Sequence, residues 1–342
     1  MEKFTKKPDF LTKYEVIISD YLKSSVLSYN GNISKYINNY FGWDDKERHS
    51  YQGKAFRPAM CITLCDSLSG DIGAALPCSI SVELVHNFSL IHDDIEDNDK
   101  LRRHQPTLWT IWGIPKALIT GNSILVLGNQ KLEKLLDYGI SKQKLFLSQK
   151  LLTESYLKMM EGQFLDISFE KKSKISKSEY LKMIGLKTGA LIECSVMLGA
   201  ISSNKNLTKS DLNLISDFGK DIGLLFQIRD DILGVWGTDK TGKPVGGDIR
   251  KKKKSLPMIL TINSNSTYDK DISEIMNKTK IEDNDIDKFI DIMEKIEIRK
   301  KCDEIAEEYL IKIQDTISKI PTSNKYKKTF NEITNFLMYR EV

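Results

Sequence analysis

The chain is poor in cysteine, nearly neutral overall and without long apolar runs, and each scarcity removes a class of protein. Its five cysteines, Cys61, Cys65, Cys78, Cys194 and Cys302, are odd in number and form no CxxC pair, which favours reduced thiols and a cytoplasmic setting. A formal charge of +4 over 342 residues is small, and the lysine runs are interleaved with acidic residues, so no nucleic-acid partner is indicated. No window reaches about 18 uninterrupted apolar residues, so no integral membrane association is expected. The N-terminal Met1–Pro8 stretch is charged and lacks the apolar run of a signal peptide.

With 40% apolar and 29% charged residues, the composition is that of a globular protein with a sizeable core, and the length allows one large domain or two smaller ones. Apolar residues recur at helical spacing almost throughout, as in Phe10, Tyr14, Ile17, Ile18 and Leu22, or Leu212, Ile215, Phe218, Ile222 and Phe226. The pattern predicts an all-α protein with helices near 9–26, 55–69, 73–99, 108–138, 143–169, 177–201, 208–235, 255–265, 284–316 and 323–340. No long linker divides them. Three polar stretches interrupt the pattern: 28–54, read as a loop with one short helix; 236–254, a Gly-rich basic loop; and 264–284, expected to be mobile.

Two acidic clusters stand inside apolar helical runs. Asp93 and Asp97 are four residues apart and share one helix face, with Asp94 turned roughly 100° away; Asp230 and Asp231 form the second cluster. Carboxylates are hard ligands suited to Mg²⁺, which keeps waters and completes its shell with substrate phosphate oxygens, so the implied substrate is a diphosphate. A solvated acidic helix face is the plain alternative for the first cluster taken alone. Cationic groups flank both clusters. Arg102 and Arg103 follow the first, and arginine forks match phosphate oxygens. Lys54 and Arg57 stand three apart at a helix start, where free N–H groups favour an anion. His86 lies two turns before Asp93 on the same face, while His92 reads as structural. Lys187-Thr188-Gly189 and Gln227, three residues before Asp230, have ordinary surface or core readings as well.

Taken jointly and in this order, Gly53-Lys54-x-x-Arg57-Pro58, the run Glu83–Asp97 with Arg102-Arg103, Gly162-Gln163 with Asp166, Lys187-Thr188-Gly189, Phe226–Gly234, Thr241–Asp248 and Lys253–Pro257 resemble the trans-isoprenyl diphosphate synthases, over about residues 50–260. That resemblance implies a single-domain antiparallel helical bundle around an apolar cavity, with the Asp-rich motifs facing each other at its mouth. It implies three Mg²⁺ ions, held by Asp93, Asp97 and Asp230 with Asp231 and Asp248 in support. By the same resemblance Arg102, Lys187, Thr188, Gln227, Lys243 and Lys253 contact an allylic diphosphate, and Lys54, Arg57, His86 and Arg103 form a pocket for isopentenyl diphosphate. Asp93, Asp97, Lys187, Asp230 and Arg102 would carry the chemistry, and the family suggests a homodimer.

Product length is expected to depend on what blocks the cavity. Phe88 lies about 7.5 Å down the helix from Asp93, with the small Ser89 beside it. One aromatic there, without an insertion in the first motif, resembles the archaeal-type geranylgeranyl synthases and implies a C20 product; farnesyl or longer-chain synthesis is the alternative. The second motif lacks its final acid at Gly234, His104 replaces a usual glycine, and Trp109 and Asn122 stand where the family often has His and Asp. A class I terpene cyclase would not need the cationic pocket, and a non-catalytic partner subunit typically loses the aspartates kept here.

Overall fold

The computed structural model describes residues 8–43, 55–68, 71–103, 105–237 and 245–340. The order is helical apart from one two-residue ladder. The chain opens with α1 (Asp9–Lys13), α2 (Glu15–Leu27) and α3 (Ser34–Phe41), the last being the short helix expected within 28–54. Next come α4 (Phe56–Leu68) and α5 (Leu76–Glu96), the latter entered through a tight turn at Gly73–Ala75 and started by Pro77, whose missing N–H costs nothing in a first turn. A two-residue ladder, β1 (Leu101–Arg102) with β2 (Gln105–Pro106), leads to α6 (Leu108–Trp112) and α7 (Ile114–Lys131), then a tight turn at Leu132–Tyr138 and the long α8 (Lys142–Glu170). The spacing predicts one helix over 108–138; Gly113 at φ 81 splits it, because that left-handed conformation ends α6 and redirects the chain.

The stretch predicted as one helix at 177–201 is three pieces: α9 (Lys177–Ile184), a widened π turn at Gly185–Gly189, and α10 (Ala190–Ser202). Reciprocal capping boxes fix two of the starts from local sequence, Ser176 with Glu179 before α9 and Thr208 with Asp211 before α11 (Lys209–Trp236). The remaining helices are α12 (Gly247–Arg250), α13 (Leu256–Ile262), α14 (Asp269–Asn277), α15 (Asp283–Lys295), α16 (Ile298–Lys319) and α17 (Asn324–Tyr339). The polar span 264–284, expected to be mobile, contains α14, whose Ile272 and Ile275 are buried. Likewise the single helix expected over 284–316 is broken at Glu297, which takes φ 57.

The core is organised by α5, α10 and α11, with α4, α7, α8 and α16 packed around them. Both α5 and α10 are apolar nearly all round, as helices enclosed by other helices must be. By length and composition, the helical stretches Gly73–Glu96 and Lys177–Ser202 would also suit a membrane, but most of their residues are buried inside the bundle. All five cysteines are free and buried, Cys61 and Cys65 in the core.

Candidate active site

The last turn of α5 brings the first acidic cluster out of the core. Asp93 lies partly buried and, among the described residues, its side chain accepts no hydrogen bond; burial pushes its carboxyl up to about 7, with Lys187 opposing the shift and Asp97 and Glu96 reinforcing it. Burial also raises Asp97, against the pull of Lys187. Asp94 points inward instead, 3% exposed, and accepts Arg102 Nε at 2.7 Å. Burial still pushes Asp94 up to about 6. The three positions thus divide as a helical period requires: two carboxylates lie on the less buried face of the turn and one anchors the arginine that follows.

The second cluster comes from the last two turns of α11. Asp231 is buried and fully engaged, accepting Tyr180 Oη at 2.6 Å, Gln227 Nε2 at 2.8 Å and the backbone N–H of Leu256 at 3.0 Å. Asp230 is more exposed and has Arg340 Nη2 at 3.9 Å. Arg340, 4% exposed, also donates to the Phe226 carbonyl at 3.1 Å and stacks its guanidinium 4.3 Å above that ring. From α12, Asp248 places Oδ2 out of reach of solvent and, among the described residues, without a hydrogen-bond donor.

Two lysines join the clusters. Lys187 Nζ contacts Asp166 Oδ2 at 2.5 Å and also lies in the field of Asp93 and Lys253. Burial disfavours the Lys253 charge, but Asp231, Asp248, Asp230 and Asp166 outweigh it and hold the ammonium well above the ordinary lysine range. Lys187 and Thr188 reach the site because the π turn bulges there, and π turns recur at functional positions. Thr188 Oγ1 donates to Gln227 Oε1 at 2.8 Å, so Thr188, Gln227 and Asp231 form one hydrogen-bonded chain. On α8, Gly162 packs directly on this bulge: a Cβ there would lie 2.2 Å from the Lys187 backbone nitrogen.

A second group of charges forms between the start of α4 and the middle of α5. Arg57 Nη1 is 3.2 Å from His86 Nε2. Burial, then Arg57, Arg103 and Arg102, lower His86 well below its ordinary value, so the imidazole is neutral and Nε2 accepts from the guanidinium. Glu83, 4% exposed, is raised by burial and partly offset by Arg57 and Arg103, which supplies a counter-charge beneath the arginines. Arg103 itself takes φ 51, a left-handed turn directly before His104. Lys54, Lys243 and His104 lie outside the described residues.

Below the acidic turn, Ser89 stands one helical turn beneath Asp93, while Phe88 is about 140° around the helix. Phe88 is buried against His92 with ring centroids 4.6 Å apart. His92 in turn packs on Gly121 of α7, the structural role expected of it. Trp109 donates to the Asp99 carbonyl at 3.0 Å.

Among the described residues no three His, Cys, Asp or Glu side chains converge to hold a metal alone. The donor chemistry nevertheless fits Mg²⁺. All of it is carboxylate oxygen, and among the described residues Asp93 and Asp97 accept no side-chain hydrogen bond and Asp248 Oδ2 is buried without a donor. Such an ion takes one or two carboxylates and completes its shell from water and phosphate, so a preassembled triad is not required.

A family model described as polyprenyl synthetase matches residues 47–293. The chain belongs to the polyprenyl synthetase family. Within it, the geranylgeranyl diphosphate synthase of Saccharolobus solfataricus is 31% identical over 330 residues, covering 94% of this chain and 98% of that protein. A (2E,6E)-farnesyl diphosphate synthase of Mycobacterium tuberculosis is 37% identical over 230 residues, which are 66% of this chain and 62% of that relative, under two thirds of its length. Among solved structures, the geranylgeranyl pyrophosphate synthetase from Pyrococcus horikoshii superposes with a TM-score of 0.85 at 28% identity, covering 96% of this chain and 97% of that one. Polyprenyl synthetases of different product names align here, so membership does not set chain length.

Sequence reasoning missed Tyr180 and Arg340 and passed over Glu83. Tyr180 precedes Lys187 by seven residues, the same two-turn spacing that singled out His86 before Asp93, so periodicity could have found it. Arg340 had no local signal, since its relation to Asp230 spans the whole C-terminal third of the chain.

Proposed function

We propose that this polyprenyl synthetase is a chain-elongating trans-prenyltransferase, condensing isopentenyl diphosphate with dimethylallyl, geranyl or farnesyl diphosphate and stopping at geranylgeranyl diphosphate. One observation carries the reading: Lys187 lies in the field of the first aspartate motif and Lys253 in that of the second, with the two lysines in each other's field, while Arg57 and Arg103 form a second cationic group around His86 and Glu83. Two diphosphates need two such places. A terpene cyclase, with one diphosphate, would have no use for the second, and a non-catalytic subunit would have no need to keep the aspartates of both motifs.

Asp93, Asp97 and Asp230 would hold Mg²⁺ with Asp231 and Asp248 in support, and bound Mg²⁺ would stabilise the charge that builds on the departing diphosphate. The protein's own groups add to this. Lys187, Lys253 and Arg102 neutralise the leaving group, Lys243 belongs to the same set by motif position, and Thr188 and Gln227 orient Asp231. The neutral His86 and the Arg57 and Arg103 guanidiniums, with Lys54 by motif position, hold the isopentenyl diphosphate with its double bond toward the allylic carbon. The allylic C–O bond breaks, a C–C bond forms, and a proton leaves the adduct to the departed diphosphate.

Phe88 would end the chain at C20. Purified protein with Mg²⁺, isopentenyl diphosphate and farnesyl diphosphate is expected to give geranylgeranyl diphosphate by chromatography, and Phe88→Ala to lengthen it by one or more C5 additions. Only unreacted substrates would reject the enzyme, and an unchanged product from Phe88→Ala would place the floor elsewhere.

The protein is also read as a homodimer. Leu157, Met160, Phe164 and Ile167 lie on one face of α8, and Phe164 is 70% exposed, a stripe too apolar for solvent. Together with exposed Val126 and Ile119 of α7 it suits a second copy of the chain. Sedimentation is expected to show a dimer that Phe164→Asp weakens; a monomeric unaltered protein would end this reading.

A further inference from the structure

The basic run after the second motif is tied down residue by residue. Arg250 donates to the Ile281 carbonyl at 3.2 Å and pairs with Asp283, Lys252 Nζ donates to the Lys278 carbonyl, and Lys254 Nζ donates to the Lys172 carbonyl at 2.8 Å. These links fasten the run to the start of α15, the end of α14 and the turn after α8. Lys251 makes a different one. Its Nζ pairs with Asp99 Oδ1 at 2.7 Å, across 152 residues, and so joins the segment carrying Asp248 and Lys253 to the turn that follows Asp93 and Asp97. Lys251 also lies in the field of Asp97.

Both ends of this pair are firmly built. Asn98 at φ 54 turns the chain out of α5, the Asp99 N–H donates to the Asp94 carbonyl at 2.9 Å, and the Asp99 carbonyl accepts Thr107 Oγ1 at 2.9 Å and Trp109 Nε1 at 3.0 Å. Opposite it, the Lys251 N–H closes on the Gly247 carbonyl at 3.1 Å, Lys252 takes φ 52, and the Lys253 N–H returns to the Asp248 carbonyl at 2.9 Å. A lysine accepts that left-handed turn only where its surroundings hold it. The contact itself is soft, because the Lys251 side chain is 66% exposed and that of Asp99 30%, and exposed ion pairs are weak and screened by salt. Two firm frames joined by a weak pair part easily and reclose in register.

We infer that Lys251 and Asp99 form a clasp across the mouth of the site, between the two aspartate motifs, which keeps a growing prenyl diphosphate bound from one C5 addition to the next. The inference rests on the elongation reading above and deepens it. Each new chain carries the diphosphate that arrived with isopentenyl diphosphate, so before the next round it must pass from the Arg57–Arg103 group to the aspartate motifs while the spent diphosphate leaves. A clasp that parts briefly lets the small anion out and holds the chain. Lys251 and Asp99 are thus positioning residues, touching neither substrate.

The test measures retention. Labelled dimethylallyl diphosphate with Mg²⁺ and isopentenyl diphosphate is chased with excess unlabelled geranyl diphosphate, and the labelled geranyl diphosphate released is divided by the label carried into longer chains. Lys251→Gln and Asp99→Asn are each expected to raise that ratio about two- to fivefold, the scale an exposed ion pair supports, with the rate of the first addition nearly unchanged. Lys251→Gln/Asp99→Asn should be no worse than either alone, since one interaction is lost in all three, and Lys251→Arg should retain as the unaltered protein does. Added salt should increase release by the unaltered protein and much less by the double variant. Single variants that retain as well as the unaltered protein would overturn the inference, as would two effects that simply multiply. Thermal melting checks each variant, and should Asp99→Asn not fold, Lys251→Gln and its salt response decide. If the unaltered protein elongates no primer, the functional reading fails and the inference with it; elongation with unchanged retention in the variants ends the clasp alone.

Discussion

Asp93→Ala is expected to lower turnover by roughly 10³-fold and, without Mg²⁺, to raise the melting temperature. The two effects have one cause. Asp93 is partly buried beside Lys187, Asp97 and Glu96, and its carboxyl is pushed from the ordinary 3.8 up to about 7, burial being the largest contribution. The folded protein therefore keeps a proton that the unfolded chain releases between those limits. With the folded value raised, stability falls as pH climbs from about 4 to about 7 and then levels off. Removing the carboxylate removes that fall, so the variant should melt a few degrees higher at pH 8 and show a flatter pH profile. The same unrelieved charge would favour a cation, and Mg²⁺ with an allylic diphosphate analogue should stabilise the unaltered protein and not the variant. Near-normal turnover would remove Asp93 from the site; equal pH dependence of melting in both proteins would remove the strain argument.

Much of this arrangement was legible in the chain because it is local. The four-residue spacing of Asp93 and Asp97, the two-turn step back to His86 and the capping residues at Ser176 and Thr208 follow from helix geometry alone. What failed was the continuity of helices. The apolar period runs through Ile296 and Ile298 without a break, yet Glu297 turns left-handed so that α15 and α16 pack separately, a demand set by neighbouring helices. Similarly, α14 looked too polar to order, because Ile272 and Ile275 are its buried residues and Met276 is half-buried beside them. The site's supports were hidden for the same reason: Tyr180 reaches Asp231 across 51 residues, and Arg340 reaches Phe226 across 114.

Gly162→Ala is the change whose sign is most informative. In a solvated helix interior, replacing glycine by alanine stabilises by about 1 kcal/mol, because alanine loses less backbone entropy. Here the opposite is expected. The added methyl would sit 2.2 Å from the Lys187 nitrogen, 2.6 Å from its Cα and 2.8 Å from the Leu186 carbonyl carbon, all backbone that cannot swing aside as a flexible side chain would. Overpacking of this kind costs about 1–3 kcal/mol, enough to reverse the helix preference. Relief requires α8 and the π turn to separate, which stretches the 2.5 Å Lys187–Asp166 contact and pulls Thr188 from Gln227, the first link in the chain to Asp231. A displacement near 1 Å at such a group costs about 10²-fold in rate. The variant should therefore be both less stable by thermal melting and slower, chiefly in kcat, whereas Asp166→Asn, which loosens Lys187 without moving the backbone, should be slower but equally stable. An alanine variant that melts higher and keeps its rate would show that α8 and the bulge do not meet at Gly162, and Lys187 would then need another means of entering the site.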